Sequence, residues 1–253
     1  MTKVPIYDVK GAKKGEVALP AAFQAPVRTD VIRKAVSVAQ SNRRQRYGAS
    51  PWAGMMHSTK GAGKGRGMSR VPRIQGSGTA ALAPPTVGGR RAHPPEARRD
   101  WSEKINATER RLAIRSGIAA TAQTAFVTKR GHRITDKITL PIVVEDGLEN
   151  IAKTADVTTL LEKLGLTDEL ARARDGVHVR AGRGKMRGRR YRSPVSVLFV
   201  ATKTEKLKRG AQNLVGVDVS TPQRLNAELL APGGDPGRLT VFTEGALKAL
   251  EAL

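Results

Sequence analysis

The sequence predicts an α/β fold: a three-layer domain with a mostly parallel sheet flanked by helices, carrying a long irregular basic extension. Three observations predict it. From about residue 135 onward, short β-branched runs alternate with helical patterns, as a parallel sheet joined by helical crossovers requires. Val195–Ala201 (VSVLFVA) reads as a continuous apolar strand of the kind covered on both faces. Residues 46–95 hold ten glycines, six prolines, eight Lys or Arg and no Asp or Glu, and no apolar repeat at helical or strand spacing runs through them. Such a segment cannot bury enough surface to offset its own ordering entropy. It is also far longer than an ordinary loop in a compact domain, where about 12–15 residues is already uncommon. An extension that orders on a partner fits better than a plain linker, which needs no acid-free string of cations.

Val4–Val9 predicts a strand, with Pro5 marking an edge or a start, and Gly11–Gly15 a turn. Asp30 opens a helix running to about Arg46, with Val31, Ile32, Ala35, Val36 and Ala39 on one face and Gly48 as the stop. After the extension Ser102 can cap a second helix, with Glu103 in its first turn. Ile105, Leu112, Ile118, Ala119, Ala122 and Phe126 give that helix an apolar side as far as Gly131. Ile138–Val144 predicts a strand followed by a turn at Glu145-Asp146-Gly147. Thr159 with Glu162 forms a possible capping box for a short helix ending at Gly165, and Thr167-Asp168-Glu169 starts another. Val215–Val219 predicts a strand. Thr221-Pro222 is a helix start with proline at the first helical position, running to about Leu230. Leu239–Phe242 predicts the last strand, and Thr243-Glu244 caps a helix to the C-terminus. No tandem repeat is present.

The charge balance narrows the function. The 253 residues carry 45 Lys or Arg against 22 Asp or Glu, a net of +23, and the sequence pI is about 11.1. A hydrophobic fraction of 39 % is too high for a wholly disordered chain. No uncharged stretch reaches the roughly 18 residues a membrane span needs, and apolar runs such as Ser193–Thr202 fall well short of it; no signal-peptide run opens the chain. The absence of cysteine excludes disulfides, thiol catalysis and zinc sites built on thiolates. A soluble intracellular protein with a polyanionic partner is expected, nucleic acid before acidic lipid.

The cations concentrate in two acid-free segments. The first holds Arg46, Lys60, Lys64, Arg66, Arg70, Arg73, Arg90 and Arg91, with Arg43 and Arg44 just before it. The second, residues 176–192, holds Arg180, Arg183, Lys185, Arg187, Arg189, Arg190 and Arg192. A solvated face normally mixes signs, so runs of one sign argue for binding. Arginine dominates both, and its planar guanidinium pairs bidentately with phosphate. Only Tyr47, Trp52 and Tyr191 are aromatic there, which disfavours a base-stacking platform. Threading along the phosphates of structured RNA fits best, with affinity that falls steeply with salt.

Catalytic signatures are missing. Gly63-Lys64 is followed by Gly65 and position 58 is Ser, so the phosphate-loop pattern fails twice. Gly182-Arg183-Gly184 meets Arg187 where the dinucleotide fingerprint needs glycine. Gly76-Ser77-Gly78 is too short for a nucleophile elbow. His57, His93, His132 and His178 fall at no metal-pairing spacing; His57 and His93 read as polyanion contacts and His132 as a surface or cap residue. Glu145 and Asp146 lie at a strand end, where α/β enzymes place catalytic groups, but they read as turn residues. No enzyme, cofactor or metal is expected. A DNA-binding protein and an RNA-modifying enzyme remain as competing classes; preference for duplex DNA over RNA at equal salt favours the former, a cofactor loop the latter.

These residues resemble the family of large-subunit ribosomal protein four in its archaeal and eukaryotic form, over essentially the whole chain. The likeness rests on Leu19-Pro20-Ala21, Phe23 and Ala25-Pro26-Val27-Arg28; on Gly65-Arg66-Gly67-Met68-Ser69-Arg70-Val71-Pro72-Arg73, Gly76-Ser77-Gly78-Thr79 and Gly88-Gly89-Arg90. It continues in Gly131-His132-Arg133-Ile134, Pro141-Ile142-Val143-Val144-Glu145-Asp146, Arg180-Ala181-Gly182-Arg183-Gly184-Lys185-Met186-Arg187 and Leu230-Ala231-Pro232-Gly233-Gly234. Nine motifs in order are specific where one alone is weak.

The resemblance implies a non-catalytic constituent of the large ribosomal subunit in the cytoplasm. Its partners would be large-subunit ribosomal RNA, neighbouring ribosomal proteins and the nascent peptide. An extension would run through the RNA to a constriction of the peptide exit tunnel. By this likeness Arg66, Arg70, Arg73, Gly76 and Gly78 form the tip, and Arg183, Lys185 and Arg187 lie in a second RNA-binding loop. Gln75 stands where eukaryotic relatives carry a basic residue, and residues 80–87 (AALAPPTV) are more apolar than theirs. The end at Leu253, without a long basic tail, points to the archaeal type. The expected organisation is a globular α/β domain from residues 1–47 and 96–253, an RNA-threading loop at 48–95 between two helices, and a second basic loop at 176–192.

Overall fold

A computed structural model of the chain describes residues 3–135 and 138–251. It falls into two compact units, residues 1–39 with 104–253, and residues 40–103. The larger unit begins with β1 (Lys3–Tyr7) and β2 (Lys13–Ala18). The chain turns between them through Gly11, whose amide donates to Asp8 O at 2.8 Å and whose φ of +81° favours glycine. β2 is an addition to the sequence expectation, which had a turn as far as Gly15. Helix α1 (Thr29–Asn42) follows.

In the smaller unit β3 (Thr59–Gly61) and β4 (Pro72–Ile74) form an antiparallel pair. The larger unit resumes with α2 (Ala107–Thr121), α3 (Thr124–Lys129), β5 (Ile142–Val144), α4 (Thr154–Lys163) and α5 (Thr167–Asp175). Then come β6 (His178–Val179) and β7 (Tyr191–Arg192), the paired feet of a hairpin, followed by β8 (Leu198–Val200) and α6 (Glu205–Ala211). β9 (Asp218–Ser220), α7 (Ala227–Leu230), β10 (Thr240–Thr243) and α8 (Glu244–Leu250) complete the fold. The predicted run of the last helix to the C-terminus includes residues 252 and 253, which lie outside the described residues.

The six-stranded sheet has the order β2-β1-β5-β10-β8-β9. Every neighbouring pair is parallel except β1 with β2. The expected three-layer, mostly parallel architecture is therefore present. Strand alternation divides the core between two faces. Ile142, Val144, Val197, Phe199 and Val241 point to a cluster with Leu148, Val157, Leu160 and Leu161, and with Leu207 of α6. Val143, Leu198, Val200 and Phe242 point to one with Phe23, Ile118, Leu247 and Leu250. There Phe23 meets Phe242 edge to face, centroids 5.4 Å apart. A third cluster joins Ile32, Ala35 and Val36 of α1 to Ala113, Ala227 and Ala231.

Several boundaries differ from expectation for identifiable reasons. α1 ends at Asn42 rather than Arg46, because Ser41 and Asn42 turn their side chains to the backbone at 101–103: Ser41 Oγ donates to Trp101 O at 2.6 Å, and Asn42 Oδ1 accepts from Glu103 N at 2.8 Å. Ser102 does not open the second helix, which starts at Ala107; the Ser102 amide instead donates to the Asp100 carboxylate at 3.1 Å. That helix also breaks at Ala122–Gln123 before α3. Thr159 is no cap: α4 begins at Thr154, and the Thr159 hydroxyl donates back to Ala155 O at 2.9 Å inside the helix. The helix expected from Thr221 is a 3-10 turn, Pro222–Arg224, followed by α7, whose own cap is Asn226 Oδ1 accepting from Leu229 N. Thr243 caps α8 as expected, accepting from Ala246 N.

Candidate nucleic-acid interface

The unit at 40–103 holds twelve Lys or Arg against three Asp or Glu. Among its described residues the only buried apolar side chains are Ala62 and Ala81. Hydrogen bonds between chain segments shape it instead. Next to the Ser41 and Asn42 contacts, Ala49 N donates to Pro95 O at 3.0 Å. Gly48 sits so close to this second segment that a Cβ would lie 2.4 Å from Pro95 O. Arg44 and Arg99 both lie over the Trp101 ring, 3.9 and 4.5 Å from its centroid, and Arg46 pairs with Asp100 at 2.6 Å. The Ser102 backbone amide and Arg46 both pull the Asp100 carboxyl below its ordinary pKa.

Further along, β3 and β4 pair Lys60 with Arg73. The loop between these strands carries Lys64, Arg66 and Arg70, with Gly63, Gly65 and Gly67 all at positive φ. A tight turn follows β4: Gly78 N donates to Ile74 O, and Gly76 and Gly78 adopt φ of +95° and +66°. Arg73 is used inside this structure. Its Nη1 donates to Gly78 O at 2.9 Å and its Nη2 to Ser69 Oγ at 3.2 Å, so it ties the loop to the turn. Lys60, Lys64, Arg66, Arg70, Arg90 and Arg91 are exposed.

The second basic segment belongs to the larger unit. Arg180 N donates to Arg190 O, extending the β6–β7 hairpin, and a 3-10 turn spans Arg183–Arg187 between Gly182 and Gly188, both at φ +77°. Arg183, Lys185, Arg187, Arg189, Arg190 and Arg192 are exposed, while Arg180 is half-buried beneath Gly184. All described large hydrophobic side chains left exposed fall in the two basic regions: Tyr47, Trp52, Met56, Met68 and Val87 in one, Val179, Met186 and Tyr191 in the other. Cations and apolar groups exposed together, on backbone too short of core to hide them, are what an interface with a large polyanion needs.

Over residues 17–253 the sequence matches the ribosomal protein L4/L1 family. The chain belongs to that family. It is 48 % identical over 253 residues to large ribosomal subunit protein uL4 of Methanococcoides burtonii, covering 100 % of this chain and 99 % of the relative. Against uL4 of Thermoplasma acidophilum it is 48 % identical over 250 residues, covering 99 % and 98 %. Against that of Methanothrix thermoacetophila it is 50 % identical over 246 residues, covering 97 % of each. These sources are archaeal, as the resemblance implied.

Beneath the hairpin, this L4/L1 family member has a buried polar network that the sequence does not reveal. Glu169 of α5 is fully buried. Its carboxylate accepts from Arg172 Nε and Nη2 at 2.8 and 2.6 Å, Arg133 N at 3.0 Å and Ser196 Oγ at 3.0 Å, and His132 Nδ1 lies 2.7 Å away. Burial by itself pushes the Glu169 carboxyl up, but the bonds from Arg172 and His132 outweigh it and hold the pKa at about 2. Of the surface or cap residue expected, the surface part fails: the His132 amide donates to Val127 O at the end of α3, but its ring is buried, and a lone histidine after a helix shows no sign of a carboxylate 37 residues on. Glu145 and Asp146 do serve the turn. Glu145 pairs with Lys14 at 2.8 Å, and Asp146 accepts from Gly245 N at the start of α8. Among the described residues no group of three or more His, Cys, Asp or Glu could hold a metal ion.

Proposed function

We propose that this chain is a structural constituent of the large ribosomal subunit in the cytoplasmic ribosome, where it binds large-subunit ribosomal RNA and neighbouring ribosomal proteins. The RNA contacts fall to Lys60, Lys64, Arg66, Arg70, Arg90 and Arg91 in one segment and to Arg183, Lys185, Arg187, Arg189, Arg190 and Arg192 in the other. Arg43, Arg44 and Arg46 lie at the base of the extension, and Arg180 beneath the second loop. The loop at 48–95 threads through RNA. Its tip, with Arg66, Arg70, Gly76 and Gly78, helps line the nascent-peptide exit tunnel. Arg73 serves that tip from within, by fixing the turn at Gly78.

The observation that carries this reading is the coincidence of acid-free cation runs with the exposed apolar side chains, the longer run lying in a unit whose buried apolar groups are two alanines. Its order then depends on what it binds. The test is filter binding of the full chain to a large-subunit ribosomal RNA transcript and to duplex DNA of equal length at the same salt. The RNA should win, with affinity falling as a steep power of salt concentration. Equal or tighter binding to DNA overturns the reading.

A further inference from the structure

At the foot of the 178–192 hairpin lies a cavity of about 520 Å³ whose walls include Arg130, His132, Arg172, His178 and Arg192 and no Asp or Glu. Two of its cations are fixed in place by hydrogen bonds. Arg130 donates to two neutral acceptors, Asp235 O at 2.6 Å and Pro232 O at 2.8 Å, and has no carboxylate partner among the described residues. Arg172 gives Nε and Nη2 to Glu169, and Nη2 also to Val195 O at 2.9 Å. Its Nη1 goes to neither. Glu169 is shared with His132, Ser196 and the Arg133 amide, so its charge is already committed.

The remaining groups share this one-sided character. Arg192 is exposed, and its side chain makes no hydrogen bond or ion pair to another described residue. It pairs in register with His178, whose Nδ1 is held 2.9 Å from Gly176 O. His132 is 5 % exposed, with Nδ1 turned to Glu169 and Nε2 buried without a partner. Burial lowers the pKa of Arg130, and the charges of Arg238 and Arg172 push it the same way, against Asp235. Gathering guanidinium groups with too few acids is unfavourable until an anion enters. The placement of Arg130 and Arg172 in advance by their hydrogen bonds lowers the cost of binding one.

We propose that this cavity takes one backbone phosphate of the bound RNA, held by Arg130, Arg172 and Arg192. The assignment rests on the RNA-binding reading above and adds a discrete seat to it, distinct from the diffuse charge of the hairpin turn. The volume lies within the range of small-ligand sites, roughly 300–1,000 Å³, so the adjoining ribose fits as well. The chemistry it recognises is a phosphate oxyanion, from RNA or free in solution.

The test uses the full chain and a large-subunit ribosomal RNA transcript carrying one ethylated phosphate per molecule on average. Positions where ethylation blocks binding are mapped for wild type, Arg192→Gln and Arg187→Gln. Arg192→Gln should relieve interference at one phosphate that Arg187→Gln leaves intact, while each variant lowers the log–log salt slope by about one. In parallel, inorganic phosphate is titrated into the free protein and the four histidine ring resonances are followed. Selective shifts of His132 and His178 would support an oxyanion seat. If those shifts occur but no single phosphate distinguishes the two variants, the seat belongs to free phosphate and the RNA assignment is overturned. Identical diffuse changes in both variants, without histidine shifts, overturn the cavity altogether. Failure of wild type to bind the transcript sinks the RNA-binding reading and this assignment with it.

Discussion

Replacing Glu169 with Gln should destabilise the larger unit by an amount that depends on pH in a defined way. The carboxyl has a pKa of about 2 in the folded protein, against an ordinary value of 4.5. A depressed carboxyl pKa contributes stability in full above the unfolded value and loses it as pH falls through the folded value. The linkage amounts to about 3 kcal/mol at pH 7 and roughly 1 kcal/mol at pH 3. Glu169→Gln removes that charge and leaves Arg172 and His132 facing a neutral amide in the interior, a change of the same order as breaking a buried pair. Urea unfolding of both proteins, followed by far-ultraviolet circular dichroism at pH 7 and pH 3, reads the difference directly. The gap should be about 3 kcal/mol at neutral pH and should narrow on acidification. A gap below about 1 kcal/mol at pH 7, or one unchanged at pH 3, would refute the claim that an ionised, hydrogen-bonded Glu169 stabilises this region.

Other predictions follow from the same architecture. Arg238 is 1 % exposed and donates to Ser196 O, Leu229 O, Gly216 O and the Asp218 carboxylate. Arg238→Ala should therefore cost roughly 3–5 kcal/mol of stability in chemical denaturation; a cost below about 1 kcal/mol contradicts the assigned role. Deleting residues 60–80 removes no member of the three apolar clusters. The shortened chain should keep a cooperative unfolding transition near that of the full chain while binding ribosomal RNA more weakly, and global unfolding would count against separate stability. Residues 48–95 bury only Ala62 and Ala81 among apolar side chains. Their amides should exchange with solvent within seconds in the free protein and slow on RNA binding; strong protection without RNA would contradict coupling of order to binding.

The elements that were legible in the sequence are those whose own residues carry their burial. Val197–Ala201 is buried at every position, and its unbroken apolar run gave it away. Thr243-Glu244 before Ala246, Leu247 and Leu250 holds a cap and an apolar face within eight residues. β2 was missed because it is an exposed edge, KKGEVA, with no alternation to read. α6, EKLKRGA, buries only Leu207, Gly210 and Ala211 within seven charged-rich residues, too few to set a period. The hairpin pairs β3–β4 and β6–β7 join strands of only two or three residues, TKG with PRI and HV with YR, too short to carry a side-chain signature.

The candidate interface was legible as charge and illegible as employment. Composition located both basic segments, because an acid-free run survives any folding. It could not show that Arg44 stacks on Trp101, that Arg46 pairs with Asp100 or that Arg73 braces the turn at Gly78. Those depend on partners that the fold brings in from elsewhere. Likewise His132 and His178, 46 positions apart, share one cavity wall, an arrangement that no local spacing encodes.

The most direct test of the account is sedimentation of a cell lysate through a sucrose gradient after a wash in about half-molar salt. Under those conditions exposed charges are screened within roughly 4–5 Å, so a casually bound polycation is released. A protein whose arm is threaded through RNA should stay with the large subunit at one copy per particle. Its appearance at the top of the gradient would contradict the claim that the chain is a built-in part of that subunit.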